Sequence, residues 1–322
     1  MKAAVYYQTG SPDVFRYEDV PDPAFSPAEM LVAVEAISVE GGDTLNRLGG
    51  EMAAVPHVVG YQCAGVVVAC GAQVEGYGVG DRVVTLGLHG SHAALRAVHP
   101  AFCWRIPDGL DTLRAACVPT AYGTAHDCLF EFGRLGGGES VLVHAGASGV
   151  GIAAIQMAHR AGARVLATAS SDDRLARLGP LGLDHGINYV TTDFVAAVRD
   201  LTDGRGADVI VDSVGGENLQ RSLHALAYRG RCVSFGDAGR DGGSPLDVST
   251  MRAGNQSLTG YFLGAELFSA PRAHAMIAEL LAQVARDELR VVIDRTYPLE
   301  DAAEAHEYIE SRRAFGRVVL VP

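Results

Sequence analysis

The stretch that most constrains this chain is residues 141–151, VLVHAGASGVG. Residues of strand-forming character run straight into a glycine-spaced turn, and from Ile152 to Ala161 apolar positions return at helical spacing. In a strand–turn–helix unit of this kind the first glycine makes the turn. The second position must be small so that a pyrophosphate can approach the backbone, and the last lets helix and strand pack closely. Gly146, Ser148 and Gly151 hold those positions, so the strict GxGxxG pattern is broken at its middle by a serine that adds a hydroxyl. A phosphate would sit on the free N–H groups at the positive end of a helix starting near Gly149. The same spacing also serves a tight turn that holds no ligand, and the flanking sequence has to discriminate.

From about Thr120 the flanking sequence alternates between two textures. A helical pattern over 121–132 is followed by strand patterns over 141–144, 164–169, 208–212 and 232–235, with helical patterns at 193–201 and 219–227 between them. That alternation predicts an α/β, doubly wound parallel sheet. Before it, short apolar runs at 3–7, 30–37, 64–69 and 81–85 are punctuated by Gly, Pro and Asp, which predicts a mostly-β domain. After a long helix at 271–287 the chain reverts to short strands at 291–296 and 317–321. The expected organisation is a discontinuous domain, 1–119 plus 290–322, interrupted by a nucleotide-binding domain, 120–289.

The second strand of the interrupting domain addresses the cofactor. A fold that holds NAD normally ends this strand with an acidic residue on the ribose hydroxyls. Here residues 165–171 read VLATASS, with Arg174 a turn later. Small hydroxyl residues leave room for a 2′-phosphate and a guanidinium can pair with it, which favours NADPH. Asp172 and Asp173 would oppose this if they pointed inward; at a helix start they serve as dipole partners instead.

Composition excludes several classes. The net charge of −12 disfavours nucleic-acid and anionic-membrane binding. No apolar run reaches membrane-span length and the first residues look like a strand, so the expected address is cytoplasmic. The six cysteines form no CxxC pair and no Cys/His cluster of zinc-site spacing, and are expected as reduced, mostly buried thiols.

Several segments together resemble the zinc-independent quinone oxidoreductase, zeta-crystallin-like branch of the medium-chain dehydrogenase/reductase superfamily. They are the opening MKAAV with GSPDV at 10–14, GYQCAGVV at 60–67, GDRV at 80–83 and TAYGT at 120–124. The glycine turn, TASS with Arg174, INY at 187–189, DSVGG at 212–216, VSFG at 233–236 and GRVVL at 316–320 complete the likeness, which covers nearly the whole chain. The resemblance implies a GroES-like mostly-β domain interrupted by a Rossmann domain, with the active site in the cleft between. It also implies that Gly42, Asp43, Thr44 and Thr120 lie near the nicotinamide, that the pyrophosphate rests on Ser148, Gly149 and Val150, and that Ser170, Arg174 and Tyr189 meet the 2′-phosphate. Phe235, Gly236, Phe262 and Leu263 would line the ribose and nicotinamide, with Arg317 near the C-terminal edge. Each has a plainer alternative: Asp43 and Thr44 as helix caps, Tyr189 as a core tyrosine, Phe235 and Phe262 as ordinary packing. Where zinc-using relatives carry metal ligands, this chain has Glu40, Tyr61-Gln62 and Ala116, so no metal is expected there. His89, His92 and Cys117 are the remaining trio to consider, and two histidines in a glycine-rich loop are expected to be solvated.

Without a Lewis acid, the acceptor must take hydride readily, as a quinone or conjugated enone does. The leading expectation is NADPH-dependent quinone reduction, with Tyr61 as the catalytic hydroxyl. The alternative within the class is reduction of the carbon–carbon double bond of an α,β-unsaturated aldehyde, ketone or thioester. A non-catalytic cofactor-binding, structural or RNA-binding role is the alternative from another class. Glu40-Gly41 and Leu45 depart from residues common among the relatives near the substrate, which leaves acceptor preference open. The family also implies a homodimer, formed through edge strands near residues 256–262.

Overall fold

The structure, a computed structural model, describes residues 1–240 and 246–322. They pack as two groups, Met1–Gly123 with Gly264–Pro322, and Thr124–Leu263. Among the described residues no helix is long and apolar enough to cross a membrane.

The second group is built on a parallel sheet whose strands, in chain order, are Ser140–Val143, Arg164–Ala169, His185–Asn188, Ala207–Asp212, Leu226–Ser234 and Ser257–Gly260. Their spatial order is third, second, first, fourth, fifth, sixth. The order reverses between the first and fourth strands, and in such sheets the crevice beyond the carboxyl ends at the reversal receives the ligand. Helices on both faces explain why the strands are continuous apolar runs rather than alternating ones: Val141, Leu142 and Val143 are all buried. Leu142, Leu166, Ile187, Phe194, Ile210 and Leu223 form one core layer. The doubly wound sheet expected from the sequence is the one found.

Two helices end differently from expectation. The pattern over 121–132 is an α-helix only over Pro119–His126 and then widens into a π-helical turn at Asp127–Glu131. There the buried Asp127 carboxylate accepts the Tyr261 hydroxyl at 3.0 Å. The helix expected to reach residue 227 spans Gly216–Ala225, because Leu226 is already extended, with φ −69° and ψ 144°, and starts the fifth strand.

The first group is mostly β. Its larger sheet runs Ile293–Pro298, Arg317–Val321, Met30–Ser38, Gln62–Cys70, Arg82–Leu86, Cys103–Arg105, with Leu95–Val98 also pairing Met30–Ser38. A smaller sheet joins Arg16–Asp19, Lys2–Tyr6 and His57–Val58. The C-terminal strand pairs antiparallel with Met30–Ser38, Val319 opposite Ser38 and Leu320 opposite Ile37, and this pairing makes the group discontinuous in sequence. The helix Pro271–Ala285 stands with this group: the Trp104 indole N–H donates to the His274 carbonyl at 2.9 Å.

Among the described residues five helices were not expected from the sequence: Gly41–Gly49, Thr112–Ala116, Ser249–Gly254, Leu263–Ser269 and Ala302–Glu310. The first opens on two glycines, poor helix formers. It is held by its cap, where the Glu40 N–H donates to Asp43 Oδ2 at 2.8 Å, and by Arg47, whose buried guanidinium pairs with Glu310.

Candidate functional site

In the second group the helix Gly149–Arg160 begins where the glycine spacing placed it. Ser148 is its N-cap, its Oγ accepting the Gly151 N–H at 3.0 Å. That use of the oxygen leaves the hydroxyl proton for a ligand. Among the described residues the N–H groups of Gly149 and Val150 have no hydrogen-bond partner. They stand at the positive end of a twelve-residue helix dipole, which suits a phosphate. The two flanking glycines are required for steric reasons. A Cβ on Gly151 would lie 2.4 Å from the Ala145 carbonyl oxygen, and one on Gly146 would lie 2.8 Å from Ala167 Cβ in the second strand.

At the end of the second strand Ser170 and Arg174 are half-buried. Tyr189 is 46% exposed, so it is not a core tyrosine; its N–H donates to the Ala169 carbonyl at 3.2 Å. Asp172 and Asp173 are exposed in the first turn of the helix Asp172–Leu178, and Asn188 Nδ2 holds Asp172 Oδ1 at 3.0 Å. The dipole-partner reading of these two aspartates is the one the structure displays.

Phe235 and Gly236 follow the fifth strand. The Phe235 N–H donates to the Asp212 carbonyl at 3.0 Å, and a Cβ on Gly236 would approach the Ser213 carbonyl oxygen to 2.8 Å. Past the sixth strand Phe262 is 57% exposed, which excludes core packing as its role, whereas Leu263 is buried.

In the first group Gly42, Asp43, Thr44, Tyr61, Thr120 and Arg317 gather around residues that were not all singled out by sequence. A Cβ on Gly42 would lie 2.3 Å from Tyr61 Cε2, so the tyrosine ring lies flush on that glycine. Asp43 is buried and accepts two backbone N–H groups, from Glu40 at 2.8 Å and Tyr61 at 3.1 Å. Burial, with the Glu40 carboxylate adding to it against those two hydrogen bonds, pushes Asp43 up to about 8. The Thr44 hydroxyl donates to the Gly41 carbonyl at 2.8 Å. Asp43 therefore does helix-capping work, while Thr44 bonds back to the carbonyl of the first helical residue. Arg317 is buried and donates to Ser38 Oγ at 2.6 Å, to the Val39 carbonyl at 3.0 Å and to the Glu40 carboxylate. Against the pull of burial, that carboxylate holds the guanidinium above its usual range.

Gln62 ties this cluster to Thr120, donating to Glu40 through Nε2 while its Oε1 accepts the Thr120 N–H at 2.9 Å. The Thr120 hydroxyl oxygen is buried and has no partner among the described residues. An orphaned buried hydroxyl of this kind fits a residue that meets a bound group.

Sequence reasoning missed Arg96. It is buried, with the guanidinium donating to the Tyr61 carbonyl at 2.9 Å and the His89 carbonyl at 2.8 Å, and so fixes the backbone on either side of the Tyr61 turn. The available signal was strand parity, since in Leu95–Val98 it shares a face with Val98, and both are buried.

The histidine expectation needs correcting. His92 is not solvated: it is fully buried, its Nε2 lies 3.1 Å from His306 Nε2, and burial lowers it to about 3. Cys117 donates its thiol to the Leu113 carbonyl at 3.3 Å, and burial pushes that thiol up to about 11. Among the described residues no group of three or more His, Cys, Asp or Glu is arranged to hold a metal ion.

Comparison with known proteins agrees with this architecture. Residues 26–108 match the alcohol dehydrogenase GroES-like domain, and residues 181–320 match the zinc-binding dehydrogenase family. The chain is 34% identical over 316 residues to a quinone oxidoreductase of Pseudomonas aeruginosa, covering 97% of each. It is 33% identical over 336 residues to a 2-haloacrylate reductase of Burkholderia sp, covering 99% of this chain and 98% of the relative. The structure of Escherichia coli quinone oxidoreductase complexed with NADPH superposes with a TM-score of 0.94 at 26% identity, covering all of both chains. With a GroES-like domain interrupted by a Rossmann sheet and relatives aligned along almost its whole length, the chain belongs to the zinc-independent quinone oxidoreductase branch of the medium-chain dehydrogenase/reductase superfamily.

Proposed function

We propose that this protein is an NADPH-dependent oxidoreductase that reduces quinones. The observation that carries the reading is the pair of unpartnered amides, Gly149 and Val150, at the start of a helix whose flanking glycines keep the approach open. Bound NADPH would supply hydride from its nicotinamide C4. Gly149, Val150 and the Ser148 hydroxyl would hold the pyrophosphate, and Ser170, Arg174 and Tyr189 the 2′-phosphate. The Thr120 hydroxyl, unpartnered among the described residues, would be a further contact to the cofactor.

The chain's remaining contribution is placement, fixed charge and exclusion of water. Around Tyr61 stand Glu40, Asp43, Gln62 and Arg317, which offer hydrogen bonds and charge but neither thiolate nor imidazole. Such surroundings suit an acceptor that takes hydride without being polarised, and quinones and conjugated enones are of that kind. Tyr61 is half-buried, and burial followed by the Asp43 charge pushes its phenol up to about 12. It therefore keeps its proton at neutral pH and can donate a hydrogen bond to the acceptor oxygen. The near-full-length likeness to a quinone oxidoreductase supports the quinone.

A second reading, reduction of the carbon–carbon double bond of an α,β-unsaturated carbonyl, is favoured by the equally extensive likeness to a 2-haloacrylate reductase. NADPH oxidation with a panel of quinones and α,β-unsaturated carbonyls separates the two. Fastest turnover with quinones is expected, a clear preference for enones would move the assignment to the second reading, and no turnover with any member would remove both.

We also propose a homodimer in the cytoplasm. Among the described residues the edge strand Ser257–Gly260 is paired on one side only, so it can add a second copy along residues 256–262. Tyr261 donates its N–H to the Ser234 carbonyl, so by the two-residue period Gly260 directs its own N–H to the open edge, and sedimentation equilibrium of the protein and of a Gly260→Pro variant would test the pairing.

A further inference from the structure

Behind the glycine turn lies a chain of buried side chains that the proposed function does not use. Thr168, His144, Ser222 and Asp212 come from the end of the second strand, the end of the first, a helix, and the end of the fourth strand. All four are almost fully buried. His144 Nδ1 lies 3.1 Å from Thr168 Oγ1, and its Nε2 lies 3.0 Å from Ser222 Oγ. Ser222 Oγ is in turn 3.1 Å from Asp212 Oδ2 and 2.8 Å from the Asn218 carbonyl.

The direction of donation follows from the partners. Ser222 has one hydroxyl proton, and both of its downstream neighbours are acceptors, so its oxygen must accept from His144 Nε2–H. His144 Nδ1 is then the acceptor of the Thr168 hydroxyl, whose oxygen takes the Ala145 N–H at 3.3 Å. Burial holds the imidazole below its usual range despite the charge of Asp212, consistent with this neutral tautomer. At the far end Asp212 Oδ1 accepts the N–H groups of Val214 at 2.7 Å and Gly215 at 2.9 Å, and Asn218 Nδ2 binds Oδ2 at 3.0 Å.

Both ends of this chain finish on turns beyond the carboxyl ends of strands, at the reversal of strand order. Ala145 has φ +50°, a left-handed conformation that a residue with a side chain seldom adopts. Thr168 grips it twice over, its Oγ1 taking the Ala145 amide and its carbonyl taking the Gly146 amide at 2.8 Å. The Ala145 carbonyl then receives the Ser148 N–H at 2.9 Å, just before the two unpartnered amides.

We propose that Thr168, His144, Ser222 and Asp212 form a one-way hydrogen-bond relay that positions the phosphate-binding amides, so that dinucleotide affinity depends on side chains that never touch the dinucleotide. They are positioning residues, and the inference rests on the reading of the glycine turn as the NADPH site. Thr168→Val keeps the shape and removes the hydroxyl, while Ser222→Ala cuts the relay far along the chain from the turn. The NADPH dissociation constant, measured by fluorescence titration, should rise about tenfold for Thr168→Val and about threefold for Ser222→Ala. The KM for NADPH should rise in parallel, with kcat at saturating NADPH changing less than about twofold, and Thr168→Ser should recover most of the loss.

A purely structural role would lower the melting temperature of these variants and leave the NADPH constants of the folded protein where they were. Wild-type protein that binds NADPH, with folded Thr168→Val and Ser222→Ala binding it equally well, would overturn the relay alone. Wild-type protein that binds no NADPH would overturn the cofactor reading and the relay with it. Should Thr168→Val not fold, Ser222→Ala decides the matter by itself.

Discussion

In the second group the polar groups offered at the glycine turn belong to the backbone, and in the first group those around Tyr61 belong to side chains. Around residues 144–151 the donors without a partner among the described residues are backbone amides, Gly149 and Val150 among them, with the Ser148 hydroxyl proton beside them. Around Tyr61 the polar groups are Glu40, Asp43 and Arg317, buried two carboxyls to one guanidinium and held by further hydrogen bonds. An amide cradle carries no net charge and is insensitive to pH, but it tolerates no added atom at its glycines. A buried charged cluster tolerates changes of shape better than the loss of any one member. The consequences of mutation should therefore differ in kind between the two.

The largest effect is expected from breaking the charged cluster. Arg317→Met leaves the Glu40 carboxylate buried without its guanidinium and should lower stability by about 3 to 5 kcal/mol. Adding Glu40→Gln should recover a large part of that loss, since a neutral amide no longer needs the partner. Urea unfolding of the wild type, both single variants and the double variant gives the cycle, and losses that simply add would mean that the pair is not coupled.

Acid should separate the groups next. In the first group burial lowers His92 to about 3, His57 to about 4 and His306 well below 6.5. In the second group, among the described residues, only His144 is lowered. A histidine whose folded value is depressed contributes stability that is fully present above the unfolded value of 6.5 and is lost as pH falls toward the folded value. For each fully buried imidazole that amounts to about 2 kcal/mol between pH 6.5 and 5. His92 and His306 should thus make the protein markedly less stable at pH 5 than at pH 7, by up to about 4 kcal/mol if they act independently. Stability unchanged over that range would contradict their neutral burial.

The 2′-phosphate patch of the second group provides a smaller and more selective effect. Arg174→Ala should weaken NADPH binding by about 1.5 to 3 kcal/mol and leave NADH nearly unchanged, as for one lost charged hydrogen bond. Isothermal titration with both cofactors is the measurement, and equal losses would show that the guanidinium does not reach the phosphate.

The same contrast explains what could be read in advance. The amide cradle is local: Gly146, Ser148 and Gly151 lie within six residues, and the helix begins at Gly149 as the spacing required. The central strands Ser140–Val143, Arg164–Ala169 and Ala207–Asp212 were equally legible because they are almost wholly buried, whereas the edge strands His185–Asn188 and Ser257–Gly260, part-exposed and polar, gave no such run. The charged cluster was not, since Glu40, Gln62 and Arg317 meet only through the pairing of strands far apart in sequence. Nor did helix propensity favour Gly41–Gly49, which tertiary contacts of Arg47 and the Asp43 cap impose. His92 was misjudged for the same reason. A histidine beside glycines looks like a loop residue, and its partner His306 is 214 positions away. Arg96 could have been placed inside by strand parity, but only by accepting a buried arginine.

The smallest expected effect bears on Thr120 of the first group, whose side chain is unsatisfied among the described residues. Thr120 Oγ1 is buried without a partner, and burying a hydroxyl in that state costs about 1 to 3 kcal/mol, so the free protein should gain from its removal. Thr120→Val replaces the hydroxyl by a methyl of similar size and leaves intact the Thr120 N–H bond to Gln62. The variant should be about 1 kcal/mol more stable than the wild type without cofactor, while its affinity for NADPH should fall by about 0.5 to 1.5 kcal/mol. Opposite signs in the two measurements, thermal unfolding of the free protein and NADPH titration, are what a hydroxyl kept for a ligand predicts. If Thr120→Val is instead less stable and binds NADPH as tightly as the wild type, the hydroxyl serves the fold. Thr120 would then be lost as a cofactor contact, while the reading of Gly149 and Val150 as phosphate-binding amides would stand unaffected.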